Sequence, residues 1–426
     1  MRRAALIVLD GLGIGATPDQ AEYGDEGSDT LGNVARAVGG LKLPNLERLG
    51  LGRCRPILGL TRTGDMRRPP SPEEPAPSRR PEPSPRAQRG GSEGAARGRG
   101  GQGVRTGAAY GVALPQSQGK DSTTGHWEIC GVVLDRAFRT YPDGFPTPLL
   151  DEFVRRTGRG YLGNTAASGT RILEELGVEH QRTGKWIVYT SADSVFQVAA
   201  HEETVPLEEL YRACETARAM LVDEHAVSRV IARPFTGAPG AYVRTARRDF
   251  SIAPPETTLL DVLAEAGVPR MGIGKVDDLF RGRNIASEHT PTNGRAYRLI
   301  EEALAEVRTG LIFVNVIEFD QTWGHRNDVQ GFHQGLVELD AWIPRLEARL
   351  APDDLVILTA DHGNDPTTPS TDHSREAVPV LVLGKRVRPA ALGERSTFAD
   401  LGQTVAEYFG VPPLARGTSF LRAVWS

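Results

Sequence analysis

The chain has 426 residues, 39% of them hydrophobic, with 50 Lys and Arg against 54 Asp and Glu and a formal net charge of −4. That length allows two or three domains with ample core, and the near balance of charge gives no cue for a nucleic-acid partner. Three cysteines, Cys54, Cys130 and Cys214, lie far apart without a CxxC spacing, which argues against a disulfide framework and a thiolate metal site.

In chain order, Ala4–Leu9 reads as a short buried strand, apolar and β-branched, that stops at Asp10, with Gly11, Gly13 and Gly15 loosening the backbone behind it. It is too short for a signal peptide and leads into an acid rather than a cleavage site, and no run is long enough to cross a membrane, so a cytoplasmic protein is expected. Residues 63–103 are dominated by Pro, Arg, Ser, Gly and Glu, with almost nothing apolar, and are expected to form a disordered low-complexity insertion. Their Arg excess also fits a phosphate-rich partner, but the plainer reading is preferred. Gly119–Glu128 (Gly-Lys-Asp-Ser-Thr-Thr-Gly-His-Trp-Glu) reads as a loop rolling into a helix, with a hydroxyl near N–H groups that can cradle an oxyanion. At least one of its adjacent hydroxyls, Ser122, Thr123 and Thr124, is expected to be merely the helix cap.

From about Val132 to Arg248 the pattern becomes α+β. Helical spacing over Ser168–Leu176 and Leu207–Leu221 is interleaved with strands at Trp186–Tyr189 and Val227–Ala232, as in an inserted lid. A helix at Leu259–Ala266, a strand at Arg270–Gly274 and a helix at Tyr297–Val307 follow. Leu311–Ile317 is a second buried strand, running into Glu318 and Asp320, with His325 five residues beyond that aspartate. Leu336, Leu339, Ile343, Leu346 and Leu350 share a helix face, and Pro344 should kink or divide that helix. Leu355–Leu358 is a third such strand, ending at Asp361-His362, and His373 returns eleven residues later.

Alternation of helix with buried strand is the doubly wound signature, and in such sheets ligands gather at the carboxyl edge of the strands. Asp10 alone reads equally well as a helix N-cap. Three strands that each deliver carboxylate or imidazole to one edge read as a metal centre. Asp10, Asp320, His325, Asp361, His362 and His373 exceed the three or so protein donors of a single zinc site, so two ions are expected. Carboxylate and imidazole without thiolate suit Mn2+, Mg2+ or Zn2+, and ions about 3.5–4 Å apart serve in-line displacement at phosphorus. The expected chemistry is phosphoryl transfer, with a nucleophilic hydroxyl from the Ser122 loop.

That loop resembles the nucleophile loop of the phosphopentomutases, a branch of the alkaline phosphatase superfamily. Leu9–Gly15 with Pro18-Asp19 behind it, Thr190–Gln197, Phe319–Asp328 with its Gly-His-Arg-Asn-Asp, and Thr359–Asp365 match the same family pattern. The resemblance runs from about Ala4 to Phe420, apart from the 63–103 segment. It implies an α/β fold with an alkaline-phosphatase-like doubly wound core from residues 1–131 and 249–426, and an α+β cap from residues 132–248. It implies that Asp320, His325 and His373 hold one metal, that Asp10, Asp361 and His362 hold the other, and that the nucleophile bridges them. The family's nucleophile is usually Thr, at the position of Ser122, so Thr123 and Thr124 stay open as rivals. Asp193 and Arg233 resemble cap residues that contact the sugar phosphate; without the family they read as a turn aspartate and a solvated arginine.

The implied reaction interconverts α-D-ribose 1-phosphate, or the 2-deoxy sugar, with the 5-phosphate through a phosphoenzyme and a 1,5-bisphosphate. It would use two divalent ions, Mn2+ by expectation, with glucose 1,6-bisphosphate or ribose 1,5-bisphosphate as activator and small sugar phosphates as partners, without membrane or nucleic acid; the sequence leaves the oligomeric state open. The same donors would serve a phosphatase or phosphodiesterase, and cofactor-independent phosphoglycerate mutase is a nearer relative and a weaker match. A non-catalytic sugar-phosphate binder would not need the full donor set. The Gly-His-Trp-Glu and Gly-His-Arg-Asn-Asp pieces favour the mutase.

Overall fold

A computed structural model describes residues 2–60, 107–191 and 194–426. The 63–103 segment and Asp193 lie outside the described residues. The apolar runs form the middle of an eight-stranded sheet, in the order Ser287–Glu288, Arg270–Ile273, Gly310–Val316, Arg3–Leu9, Asp354–Thr359, Val378–Gly384, Gly107–Ala113 and Ala390–Arg395. The first five are parallel, and Val378–Gly384 runs antiparallel to both of its neighbours. Parallel strands covered on both faces need continuous apolar sequence rather than alternation. Every residue of Arg3–Leu9, Gly310–Val316 and Asp354–Thr359 is accordingly buried. The charged exceptions pair with each other, Arg3 Nε donating to Asp354 Oδ1 at 3.0 Å.

Register decides what meets at the edge. Leu9 lies opposite Val316 on one side, and Val8 lies opposite Thr359 on the other. Asp10, Asp320 and Asp361-His362 therefore leave the sheet side by side, at the carboxyl ends where open α/β sheets bind ligands.

A six-stranded sheet forms the second unit, from Tyr161–Ala166, Trp186–Thr190, Val195–His201, Arg229–Thr236, Val243–Arg244 and Arg248–Ser251. Alternate residues of Trp186–Thr190 serve its two faces, as a pleated strand requires. Trp186 and Val188 pack with Phe153 and Phe196, while Ile187 and Tyr189 pack with Ile172 and Phe235. On the two connections to the first unit, Leu134, Phe138 and Ile252 rest against the core.

The expected break at Pro344 does not occur, and the helix Val329–Arg349 runs through it. Proline there deprives the Asp340 carbonyl of its helical N–H. Asn45 Nδ2 donates to that carbonyl at 3.1 Å, and the Asp340 carboxylate accepts from the Asn45 and Leu46 N–H groups at 2.9 and 2.8 Å. A tertiary partner replaces the bond that proline removes.

Candidate metal centre

Asp10 is fixed by the turn that ends the first strand. Its N–H donates to the Val316 carbonyl at 3.1 Å. Gly11 follows with φ of +78°, where an added Cβ would sit 3.1 Å from Asn364 Cβ and 3.2 Å from Asp320 Cβ. Asp320 lies on a single π-helical turn, Phe319–Trp323, and His325 on the 3-10 turn Gly324–Arg326 that follows. Changes of winding of this kind recur at functional sites because they re-aim side chains. Beyond Asp361 and His362 the chain doubles back. Gly363 and Ser374 exchange both backbone hydrogen bonds, at 3.0 and 2.8 Å, which brings the His373 ring to 4.1 Å from that of His362.

The donors form two adjoining triads. His325 and His373 present Nε2 to the Asp320 carboxylate at 3.3 and 3.2 Å. His362 Nε2 lies 3.3 Å from Asp10 Oδ1 and 3.6 Å from Asp361 Oδ2. Within each triad one donor atom per residue lies within 4.8 Å of the others. Contacts behind the donors orient them. His325 Nδ1 is 2.7 Å from the Thr371 carbonyl, and His362 Nδ1 is 3.0 Å from the Gly363 carbonyl. A carbonyl only accepts, so Nδ1 carries hydrogen and Nε2 faces the triad, the arrangement usual for metal-bound imidazole. Asn364 Nδ2 donates to Asp320 Oδ1 at 2.7 Å.

The charge balance calls for a cation. Burial, then the Asp361 and Asp320 carboxylates, push the Asp10 carboxyl up. Burial opposes charging His362, yet Asp361, Asp10 and Asp320 outweigh it and hold the imidazole well above its usual range. Burial also works against an ionised Asp320, but His373 and His325 prevail and hold its carboxyl well below the usual range. Asp361 Oδ2 and His373 Nε2, one in each triad, are buried and make no well-aligned hydrogen bond among the described residues, having only the ion-pair contacts within the site. Orphans of that kind are costly in a protein interior, and an ion on each triad would engage both. The donor set fits two divalent ions.

Ser122 opens the helix Ser122–Ile129. Its Oγ is 3.3 Å from Asp10 Oδ1 and 3.1 Å from His362 Nε2. None of the neighbouring hydroxyls caps this helix, contrary to expectation. Asp121 is the N-cap, accepting from Thr124 N at 3.1 Å and from Thr124 Oγ1 at 2.6 Å, and its charge suits the positive helix end better than a hydroxyl would. The helix can approach this closely because of Gly125, where an added Cβ would fall 2.2 Å from the Asp361 carbonyl oxygen. One turn on, His126 Nδ1 lies 2.9 Å from the Ser122 carbonyl and 3.0 Å from Asp361 Oδ2, joining the helix to the second triad.

Beyond the expected donors, Arg375 organises the approach to Ser122. Its buried guanidinium donates to the carbonyls of Pro115, Ser117 and Gly119 at 3.0, 2.6 and 2.7 Å and to Asp19 Oδ2 at 2.8 Å. Glu376 accepts at 2.9 Å from the N–H groups of Gly15 and Thr30 and at 2.6 and 2.7 Å from the Thr30 and Ser374 hydroxyls. Proximity to His373 in sequence is the only local signal for either residue. Arg233 stands apart from both triads, on Arg229–Thr236 of the second sheet, where its Nε donates to Gln197 Oε1 at 3.0 Å. Burial and then the nearby Arg247 guanidinium lower its pKa, against the opposing pull of Tyr189 and Asp249.

Residues 2–413 match the metalloenzyme superfamily. The phosphopentomutase of Anaeromyxobacter sp. (strain K) is 53% identical over 426 residues, spanning 99% of this chain and 99% of its own. The chain belongs to the phosphopentomutase family. Two further phosphopentomutases, from Carboxydothermus hydrogenoformans and Dictyoglomus thermophilum, are each 49% identical over 97% and 100% of this chain and 97% and 99% of their own lengths. Membership in the phosphopentomutase family agrees with the alkaline-phosphatase-like α/β fold and with a dependence on divalent metal. It also makes the chain an isomerase of the intramolecular phosphotransferase class.

Proposed function

We infer that Ser122 and the two triads carry out the phosphopentomutase reaction, moving phosphate between C1 and C5 of ribose or 2-deoxyribose. The reading is carried by the Ser122 hydroxyl, 3.3 Å from Asp10 and 3.1 Å from His362 at the start of a helix. Asp320, His325 and His373 would hold one ion, and Asp10, Asp361 and His362 the other. Mn2+ is our choice, because carboxylate oxygen mixed with imidazole suits it. When bound, the ions supply positive charge to the transferring phosphoryl group and lower the pKa of the attacking hydroxyl.

Ser122 Oγ attacks one phosphate of glucose 1,6-bisphosphate or ribose 1,5-bisphosphate; the bond from phosphorus to the sugar oxygen breaks, the Ser122 proton passes to that oxygen, and the sugar monophosphate departs from a primed phosphoenzyme. Attack by the free hydroxyl of a sugar monophosphate breaks the Oγ–P bond and forms a sugar O–P bond, while the sugar proton ends on Oγ. The resulting 1,5-bisphosphate reorients and returns its other phosphate to Ser122. N–H groups at the start of the helix favour the anion on Ser122. Residues 132–248 act as a cap, in which Arg233 and Asp193 hold the sugar phosphate. Its closure excludes the water that would make the enzyme a phosphatase. A cytoplasmic setting agrees with the free Cys54, Cys130 and Cys214. Among the described residues, no helix is long and apolar enough to cross a membrane.

The test is to incubate Mn2+-loaded protein with ribose 5-phosphate and catalytic glucose 1,6-bisphosphate and follow both products by phosphorus NMR. Ribose 1-phosphate should form without inorganic phosphate. Accumulation of inorganic phosphate in its place would overturn the mutase reading.

A further inference from the structure

Asn315 is an unexpected residue for its place. It lies on Gly310–Val316, a strand buried along its whole length and otherwise apolar, and it is itself fully buried. Parallel strands covered on both faces favour unbroken apolar sequence, so a carboxamide there carries a desolvation cost. Asn315 Oδ1 has no hydrogen-bond partner among the described residues. The contact that its side chain does make is with His126, whose Nε2 lies 3.4 Å from Asn315 Nδ2.

His126 is buried as completely. Its Nδ1 is 2.9 Å from the Ser122 carbonyl and 3.0 Å from Asp361 Oδ2, so one ring nitrogen stands between the main chain of Ser122 and a donor of the second triad. A carbonyl and an ionised carboxylate only accept, so Nδ1 carries hydrogen. In a neutral ring Nε2 then holds a lone pair, and the group facing it is the Asn315 amide N–H. The opposite tautomer would set a lone pair against two acceptors on one side and N–H against N–H on the other. Phe313, two residues before Asn315 and so on the same strand face, packs on the His126 ring with centroids 5.8 Å apart.

We propose that His126 is a positioning residue for phosphoryl transfer and that Asn315 serves to fix its tautomer. The Nδ1–H braces the Ser122 peptide beside the second triad, which sets the reach of Ser122 Oγ to Asp10 and His362 and the aim of Asp361 toward an ion. Both residues act through others. This role presupposes Ser122 as nucleophile and Asp361 as a metal donor, the reading proposed above.

Three variants of the full chain separate this role from packing. His126→Asn keeps a donor at the place of Nδ1 but loses the ring, and His126→Phe keeps a ring but loses the donor. Asn315→Leu keeps the shape of the carboxamide without its N–H. Each is compared with the parent by mutase kinetics on ribose 5-phosphate, by calorimetric titration of Mn2+ into metal-free protein, and by melting temperature. In His126→Phe, kcat should fall about a hundredfold with KM nearly unchanged, since the nucleophile is misplaced rather than the substrate. One of its two ions should bind about tenfold more weakly. His126→Asn should recover about tenfold of the lost kcat, because the Nδ1 donor is restored. Asn315→Leu should lower kcat about tenfold without lowering the melting temperature, since it removes a buried polar atom that has no partner. A packing defect would lower both together. Parental kcat and Mn2+ affinity in His126→Phe, or a kcat lower in His126→Asn than in His126→Phe, would overturn the role of His126. Should His126→Phe not fold, Asn315→Leu decides, and parental kcat there, or a loss that follows a lower melting temperature, ends the proposal. A parent that releases inorganic phosphate, or carries none on Ser122, would instead refute the reaction on which this role depends.

Discussion

Ser122 contributes a single oxygen to the centre, whereas the triads are built from other side chains. Ser122→Ala should therefore abolish mutase activity while metal content stays near that of the parent. Mass spectrometry of the primed enzyme should find phosphate on Ser122; phosphate on Thr123 or Thr124 would reject the assignment. Thr124 is already engaged by Asp121. Glu376 yields a prediction about pH. Burial outweighs its hydrogen bonds and raises the carboxyl from 4.5 to about 7. Between those values the folded chain keeps a proton that the unfolded chain has lost, so this stabilisation is complete below about pH 4.5 and disappears as pH rises through about 7. The linkage is on the order of 3 kcal/mol. In metal-free protein, the melting temperature of the parent relative to Glu376→Gln should fall between about pH 5 and pH 8. A difference that stays flat would remove Glu376 from this role. Asp10, Asp320, Asp361 and His362 were legible because each stands within a few residues of the end of an apolar run, whereas His325 and His373 were read from imidazoles that return farther along the chain. Asn364, His126, Arg375 and Glu376 were not, because their partners are set by loops that meet only in the folded chain.

At the scale of elements, two contacts hold the Ser122 helix against the triads. Gly125→Ala would put a methyl against the Asp361 carbonyl, 2.2 Å away in the present geometry, so the helix must shift. A displacement near 1 Å at a reacting group can cost roughly a hundredfold in rate. We expect a kcat loss of that order with a near-native circular dichroism spectrum; parental kcat would show that the fit is not critical. Arg375 steadies the preceding loop through a planar fork that lysine cannot reproduce. Arg375→Lys should lower kcat about tenfold or more with KM for ribose 5-phosphate nearly unchanged. A rise in KM alone would assign Arg375 to substrate binding instead. The strands Ala4–Leu9, Leu311–Ile317 and Leu355–Leu358 were readable, since burial on both faces leaves one kind of sequence, but Val378–Gly384 and Val195–His201, buried throughout, went unassigned. Helix boundaries were less readable. Asn293–Glu306 begins four residues before Tyr297 because Thr292 accepts the Arg295 N–H at 3.3 Å, a capping bond that the apolar face does not mark. Pro344 misled for a related reason, as its remedy, Asn45, lies almost three hundred residues away in sequence.

For the whole molecule, metal and stability are linked, because the triads gather buried carboxylates that only the folded chain brings together. A ligand at a thousandfold its Kd stabilises by about 4 kcal/mol per site, so Mn2+ should raise the melting temperature and EDTA should lower it. His325→Ala and Asp361→Asn should each lose about one ion per chain and most of that gain; full occupancy with parental turnover in either would sink the two-metal reading. The change of sequence character near Val132 suggested an inserted unit, but the packing of Leu134, Phe138 and Ile252 against the core was not readable from the sequence. The central place of Arg3–Leu9 also sets the order of assembly during synthesis. Its neighbours in the sheet begin at Gly310 and Asp354. At about 5–20 residues per second, a ribosome needs roughly 15–60 s to supply the nearer of them. Meanwhile the second sheet, whose apolar clusters run from Tyr141 to Phe250, has all its strands available. The nascent chain thus completes its second sheet before the centre of its first, and an unpaired apolar strand must be shielded from other chains until the last third is made.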